Sequence, residues 1–161
     1  MTENRTLITT ATAILLLCLA TAVGSSWAEG VDQPRLALKG YDPVAYFTES
    51  RPIPGNPDYE FVFDEVRYRF ASAEHLALFR NDPDRYAPRY RGLCAMGLAA
   101  KGYKVTANPE NWTIHQGRLY VTQRDFGPPI FRKDPKRWIA SANVNVEALK
   151  DVPIGSALSW W

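Results

Sequence analysis

Hydrophobic and polar residues alternate along two pairs of short runs. Tyr59-Glu60-Phe61-Val62-Phe63 breaks at Asp64-Glu65 and resumes as Val66 to Phe70, and Trp112-Thr113-Ile114-His115 breaks at Gln116-Gly117 and resumes as Arg118 to Thr122. Alternation on both sides of a tight polar turn predicts a β-hairpin in each place. Ser72 then stands where it can cap a helix over Ala73 to about Asn81 that buries Leu76 and Phe79, and Pro83 restarts the chain in a short turn toward Tyr86. Asp134 caps the longest predicted helix, in which Trp138, Ala142, Val146 and Leu149 fall on one stripe and which ends near Lys150, before Pro153 and Gly155. Asp42-Pro43 carries the same start signal for a short helix over Val44 to Phe47. Three prolines and a glycine between Glu49 and Asp58 predict a loop.

An internal echo orders these elements. Phe79-Arg80-Asn81-Asp82-Pro83-Asp84-Arg85-Tyr86 returns as Phe131-Arg132-Lys133-Asp134-Pro135-Lys136-Arg137-Trp138, with Phe, Arg, Asp, Pro and Arg in the same places and an aromatic residue last. Each copy follows a predicted hairpin, which points to two hairpin-plus-helix units; the alternative is that Asp-Pro starts two unrelated helices. The fold class expected is α+β, a small single domain of two such units with short additional helices.

The first stretch, Met1 to Ala28, has the pattern of a secretory signal peptide: a polar head with Arg5, an apolar run from Leu7 to Val23, and Ser26-Trp27-Ala28 at the cleavage point. The domain is then 29–161, about 130 residues, enough to close one core without staples. An uncleaved anchor is the alternative, since Leu7 to Val23 is at the short end for a span. The expected location is the periplasm or outside the cell, by the general export route, with no membrane span after cleavage. Cys18 lies in the apolar run behind three leucines, where a lipoprotein signal would want a small residue, so it leaves with the leader. At the other end, residues 155–161 show no period and finish in Ser-Trp-Trp, an apolar tail that suits a groove or a contact surface.

Charge narrows the partners. With 19 basic against 17 acidic residues and a net charge of +2, interleaved along the chain, nothing favours nucleic acid or an acidic membrane surface. Five tryptophans and eight tyrosines instead predict a core rich in aromatics with some left for a groove.

Cys94 is the one thiol left in the mature chain, so no internal disulfide can form. With Met96, His75 and His115 it makes up a soft donor set of the kind that takes copper or zinc. On a strand Cys94 and Met96 would face one side; on a helix they would diverge. The competing reading has Cys94 packed as a small apolar side chain, Met96 filling a gap, and His115 in solvent beside its turn. A ligand cleft can be drawn from Tyr41, Asp42, Tyr46, Tyr86, Tyr90 and Trp112 with Arg69, Arg89 and Arg91 at its rim, although the same aromatics suit a core. Gly40 and Gly92 mark close approaches of the backbone. There is no phosphate loop, nucleophile elbow, Cys-x-x-Cys pair or zinc-protease helix. A thiol enzyme would need His75 or His115 brought to Cys94 by the fold.

Leu38-Lys39-Gly40-Tyr41-Asp42-Pro43-Val44-Ala45-Tyr46-Phe47, Tyr68-Arg69-Phe70-Ala71-Ser72-Ala73-Glu74, the Phe79/Asp82-Pro83/Tyr86-Ala87-Pro88 group and Gly92 with Cys94-Ala95 resemble the exported bacterial branch of the YHS domain family, as do Gly117-Arg118-Leu119-Tyr120 and the Asp134-Pro135 helix. Some members sit beside heavy-metal transport ATPases and place cysteines after the Asp-Pro-Val turn and after the second strand. Ala45 and Ala71 occupy those places here, with His75 where another ligand could be. The resemblance therefore implies a non-catalytic binding module of the cell envelope whose partner is a small ligand, a metal ion or an envelope protein, with a metal-free scaffold as the alternative.

Overall fold

The computed structural model describes residues 33–156; the expected leader and the end of the apolar tail, from Ala157 onward, lie outside the described residues. Both predicted hairpins are present. Strand β1 (Arg35–Leu36) runs parallel to β3 (Val66–Phe70), which pairs antiparallel with β2 (Asn56–Phe63), giving the sheet order β1-β3-β2. The second sheet is β4 (Asn108–His115) against β5 (Arg118–Thr122). Helices α1 (Ala45–Thr48), α2 (Ala73–Asn81) and α3 (Pro83–Tyr86) belong to the first half, and α4 (Ala95–Lys101), α5 (Gly127–Lys133) and α6 (Pro135–Ala148) to the second. The fold is α+β, and from Pro34 onward the chain packs as one unit. Among the described residues no helix is long and apolar enough to cross a membrane.

The internal repeat is far longer than its sequence echo. Phe79 and Phe131 are 52 positions apart, and the same spacing holds from Leu38/Tyr90 to Tyr86/Trp138 without an insertion. The register shift between Asn56 and Glu60 in β2 recurs between Asn108 and Trp112 in β4. In each bulge an asparagine side chain accepts from the backbone two residues on, Asn56 from Asp58 N at 2.9 Å and Asn108 from Glu110 N at 3.2 Å. The adjacent Pro57 and Pro109 have no N–H to lose from the ladder there. The Pro-rich loop is thus shorter than expected, because β2 begins at Asn56.

Before each hairpin lies the same strained turn. Leu38 and Lys39, and their counterparts Tyr90 and Arg91, all have positive φ (49°, 52°, 58° and 55°), and Gly40 and Gly92 come next at 87° and 74°. Bulky residues rarely adopt that conformation, so both turns must be held in place by hydrogen bonds from neighbouring backbone. They are closed by Tyr41 N to Leu38 O and by Leu93 N to Tyr90 O, each at 3.0 Å. The next residues, Asp42 and Cys94, then donate their N–H to Ile53 O at 2.8 Å and Val105 O at 2.9 Å.

Capping agrees closely with the sequence. Ser72 accepts from His75 N, Asp82 from Arg85 N and Asp134 from Arg137 N. Phe79 is fully buried among Phe61, Phe63, Tyr68 and Phe70, with ring centroids 5.0 to 6.2 Å apart, and its counterpart Phe131 packs on Tyr120 at 4.9 Å. The halves differ most after that point, since α3 is one turn long and α6 is 14 residues. Helix α6 closes over α4: Asn145 Nδ2 donates to Leu98 O at 2.7 Å, and Lys104 Nζ donates to the carbonyls of Leu149 and Lys150 at its C-terminal end.

Candidate functional site

The repeat places Asp42 and Cys94 in equivalent positions, each at the start of a short helix and beneath the residue that leaves the second strand of its hairpin. Asp42 is fully buried. Its Oδ1 accepts from Val44 N at 2.8 Å, and its Oδ2 accepts from Ala71 N at 2.7 Å and from His75 Nδ1 at 2.6 Å. An ionised carboxylate only accepts, so the proton lies on Nδ1, and in the neutral ring Nε2 carries the lone pair. Nε2 stands 3.4 Å from Thr48 Oγ1 and 3.6 Å from Glu49 Oε1. The imidazole thus spans from Asp42 to Thr48 and closes the site.

Cys94 reproduces half of this arrangement. Its Sγ accepts from Gly97 N and Gln123 N, both at 3.2 Å. Gln123 is the counterpart of Ala71, so the thiol satisfies the same backbone donor that Asp42 satisfies in the first half. The counterpart of His75 is Gly127, and that of Thr48 is Ala100. Beside Cys94 the second half has a hollow of about 230 Å³ whose lining includes Cys94, Met96, Ala100, Val105 and Gly127, together with the exposed Tyr103 and Phe126. Gly127 is required there: a Cβ would lie 2.3 Å from Thr122 Oγ1 and 2.6 Å from Thr122 Cβ.

Of the proposed metal donors, Cys94 and Met96 line this one hollow. Cys94 is the non-helical cap and Met96 lies in the first turn, a placement between the strand and helix alternatives. His75 is tied to Asp42 in the other half, and His115 pairs with Arg118 at the end of the second hairpin. Neither histidine lines the hollow or bonds Sγ. Among the described residues no three or more of His, Cys, Asp and Glu stand close enough to share a metal ion.

Five of the six residues drawn as a cleft are distributed over three core clusters, and the sixth is Asp42. Tyr46 packs edge-on against Trp112 at 5.4 Å and donates to Pro109 O at 3.0 Å, with Tyr41 beside the same cluster; burial holds its phenol well above the ordinary value. Tyr86 packs on Phe47 at 5.5 Å in the first half, and Asp42 is the buried carboxylate described above. Tyr90 lies in the second-half core and donates to Asn143 Oδ1 at 3.0 Å. It also lines a larger groove of about 770 Å³, with Arg89 and Arg91. Several charges in that groove are engaged: Arg91 bonds both oxygens of Asp64 at 2.9 Å and pairs with Glu65 at 3.0 Å, Arg35 donates to Arg91 O at 2.6 Å, and Arg118 donates to Asp84 O. Arg69 pairs with Glu60 at 2.6 Å rather than at the groove.

Two features escaped the sequence reading: the Asp42–His75 pair and the role of Gly127. Carrying the Phe-Arg-x-Asp-Pro spacing back along the chain would have aligned Asp42 with Cys94 and His75 with Gly127. No protein-family model matches this chain, and no curated protein or solved structure matches it.

Proposed function

We propose that this chain is an exported, non-catalytic binding module of the cell envelope, of the YHS type, whose ligand enters the hollow over Cys94. One observation carries the reading: of two equivalent positions, Asp42 is closed over by the chain's own histidine, while Cys94 lines an open hollow whose lining includes two exposed aromatic side chains. Apolar walls with a few convergent polar groups are the usual make-up of a small-ligand site. Chemistry at Cys94 lacks a base, because its sulfur meets two backbone N–H groups and no imidazole. A soft metal ion is the second reading, favoured by Cys94 and Met96 lining the same hollow; two sulfur donors suit copper(I) better than zinc.

A small-fragment screen by NMR, read at the amides of Gly97 and Gln123, tests the leading reading. Saturable shifts at those two amides by at least one fragment class support it, and a screen in which no class moves them ends it. Elemental analysis of protein recovered from the periplasm without a histidine tag, beside a Cys94→Ser variant, tests the second. Near-stoichiometric copper or zinc that disappears in the variant establishes the metal.

A further inference from the structure

We infer that the chain's own segment 157–161, Ala157-Leu158-Ser159-Trp160-Trp161, docks in the hollow over Cys94. The point where that segment begins is fixed beside the hollow. Lys104 N donates to Ser156 O at 2.9 Å, and Gly155 N donates to Lys104 O at 2.6 Å. Two residues facing one, the first a glycine at φ 98°, is the bonding of a β-bulge in an antiparallel pair. The direction of that pairing leads the chain beyond Ser156 back past Lys104 toward Tyr103, which is itself in a β-bridge. Tyr103 and Val105, on either side of Lys104, both line the hollow. Reach is not limiting, since five residues span up to about 17 Å and the hollow begins at the neighbouring residue.

Chemistry selects the hollow over the other concavity at this point. The groove of about 770 Å³ also extends to Lys104, Pro153 and Ile154, but its described lining carries six basic and four acidic residues. The hollow's described lining has one charged residue, Arg124, among Met96, Tyr103, Val105 and Phe126. Segment 157–161 has no charged side chain and ends in two tryptophans. Tyr103 and Phe126, 41% and 57% exposed, offer aromatic surface for such a guest. Tethering makes a weak contact sufficient: a short linker holds its end at an effective concentration in the mM range, so an intrinsic affinity of about 1 mM already gives half occupancy. Docking needs only an open apolar hollow and so stands apart from the ligand reading, and a ligand of the hollow has to displace the segment first.

The test uses the protein recovered from the periplasm, isotope-labelled at the methionine methyl; beyond Met1 the one methionine is Met96, in the lining of the hollow. Trp112 and Trp138 share core clusters with Met96, so the comparison is with a Trp160→Ala/Trp161→Ala double variant, which keeps both. The expected result is a set of nuclear Overhauser contacts from indole protons to the Met96 methyl that is lost in the double variant, together with shifts of the Gly97 and Gln123 amides. A methyl that keeps all its indole contacts in the double variant overturns the docking, and so do shifted amides without a lost ring contact. The fragment screen then still decides separately whether the hollow takes a ligand. Contacts that weaken on dilution, or that pass between labelled and unlabelled chains in a mixture, overturn the internal contact in favour of a second copy.

Discussion

Replacing Asp42 by alanine removes the acceptor of three N–H groups at once: Val44 N at 2.8 Å, Ala71 N at 2.7 Å and His75 Nδ1 at 2.6 Å. Hydrogen bonds to a charged group contribute about 1.5–3 kcal/mol each, without adding in full. Breaking a buried charged pair from one side costs about 3–5 kcal/mol. The carboxylate is fully buried and joins the start of α1 to the end of β3 and to α2, so Asp42→Ala should cost about 4 kcal/mol. For a domain of this size that lowers Tm by about 12–16 °C. Asp42→Cys copies the second half and keeps an acceptor for the backbone donors, so its loss should be smaller, about 2–3 kcal/mol. The decisive measurement is a double-mutant cycle with His75→Ala, by urea unfolding at pH 7 monitored by circular dichroism. His75→Ala should cost clearly less in the Asp42→Cys background than in the wild type, with a coupling of about 1.5 kcal/mol or more. A loss under about 1 kcal/mol for Asp42→Ala, or an additive cycle, would refute the view that the carboxylate and the imidazole act as one latch.

The other predictions are more local. Gly127→Ala forces a Cβ into Thr122 and should destabilise by about 1–3 kcal/mol; part of that loss should return in Gly127→Ala/Thr122→Ala, and a neutral single variant would count against the packing described. Glu65 sits at φ 62° in the hairpin turn, and its ion pair with Arg91 is largely exposed, so Glu65→Gly should stabilise by about 0.5–1 kcal/mol in thermal melts. Burial pushes the Tyr90 phenol up to about 12, against about 10 in the unfolded chain. The folded state thus holds that proton more tightly, and stability should be intact below about pH 10 and fall as pH rises toward 12. Tyr90→Phe should flatten that fall in urea unfolding across the alkaline range, and an unchanged slope would refute the assignment. Cys94 is only 4% exposed, so alkylation by a bulky maleimide, located by peptide mass, should run at least about tenfold slower than at an unfolded cysteine.

The elements were legible where local rules and packing agree. Asp64-Glu65 and Gln116-Gly117 marked both hairpins, and Ser72, Asp82 and Asp134 marked helix starts, because a turn or cap is decided by a few adjacent residues. The bulges were not, since Asn56 and Asn108 look like loop residues until β3 and β5 pair with them. The aromatics of the expected cleft satisfied a cleft and a core equally by composition. Only the fold separates Tyr46 in one cluster from Tyr86 and Tyr90 in others. The donor set of Cys94, Met96, His75 and His115 was visible as chemistry but not as geometry. Its cysteine and His75 occupy opposite copies of a repeat whose matching residues are mostly not identical.

That repeat also explains why the two halves are suited to different work. A buried carboxylate gripping an imidazole makes the Asp42 site rigid and closed, with nothing left for a guest. The Cys94 site keeps the strained turn, the backbone donor that follows the second strand and the bulged hairpin, and differs at the side chains around them. A sealed void of this volume would cost several kcal/mol, at about 24 cal/mol for each Å³. The hollow avoids most of that by opening to solvent, and two of its lining aromatic side chains, Tyr103 and Phe126, are exposed. Exposed aromatics around an apolar concavity gain contact area when something enters.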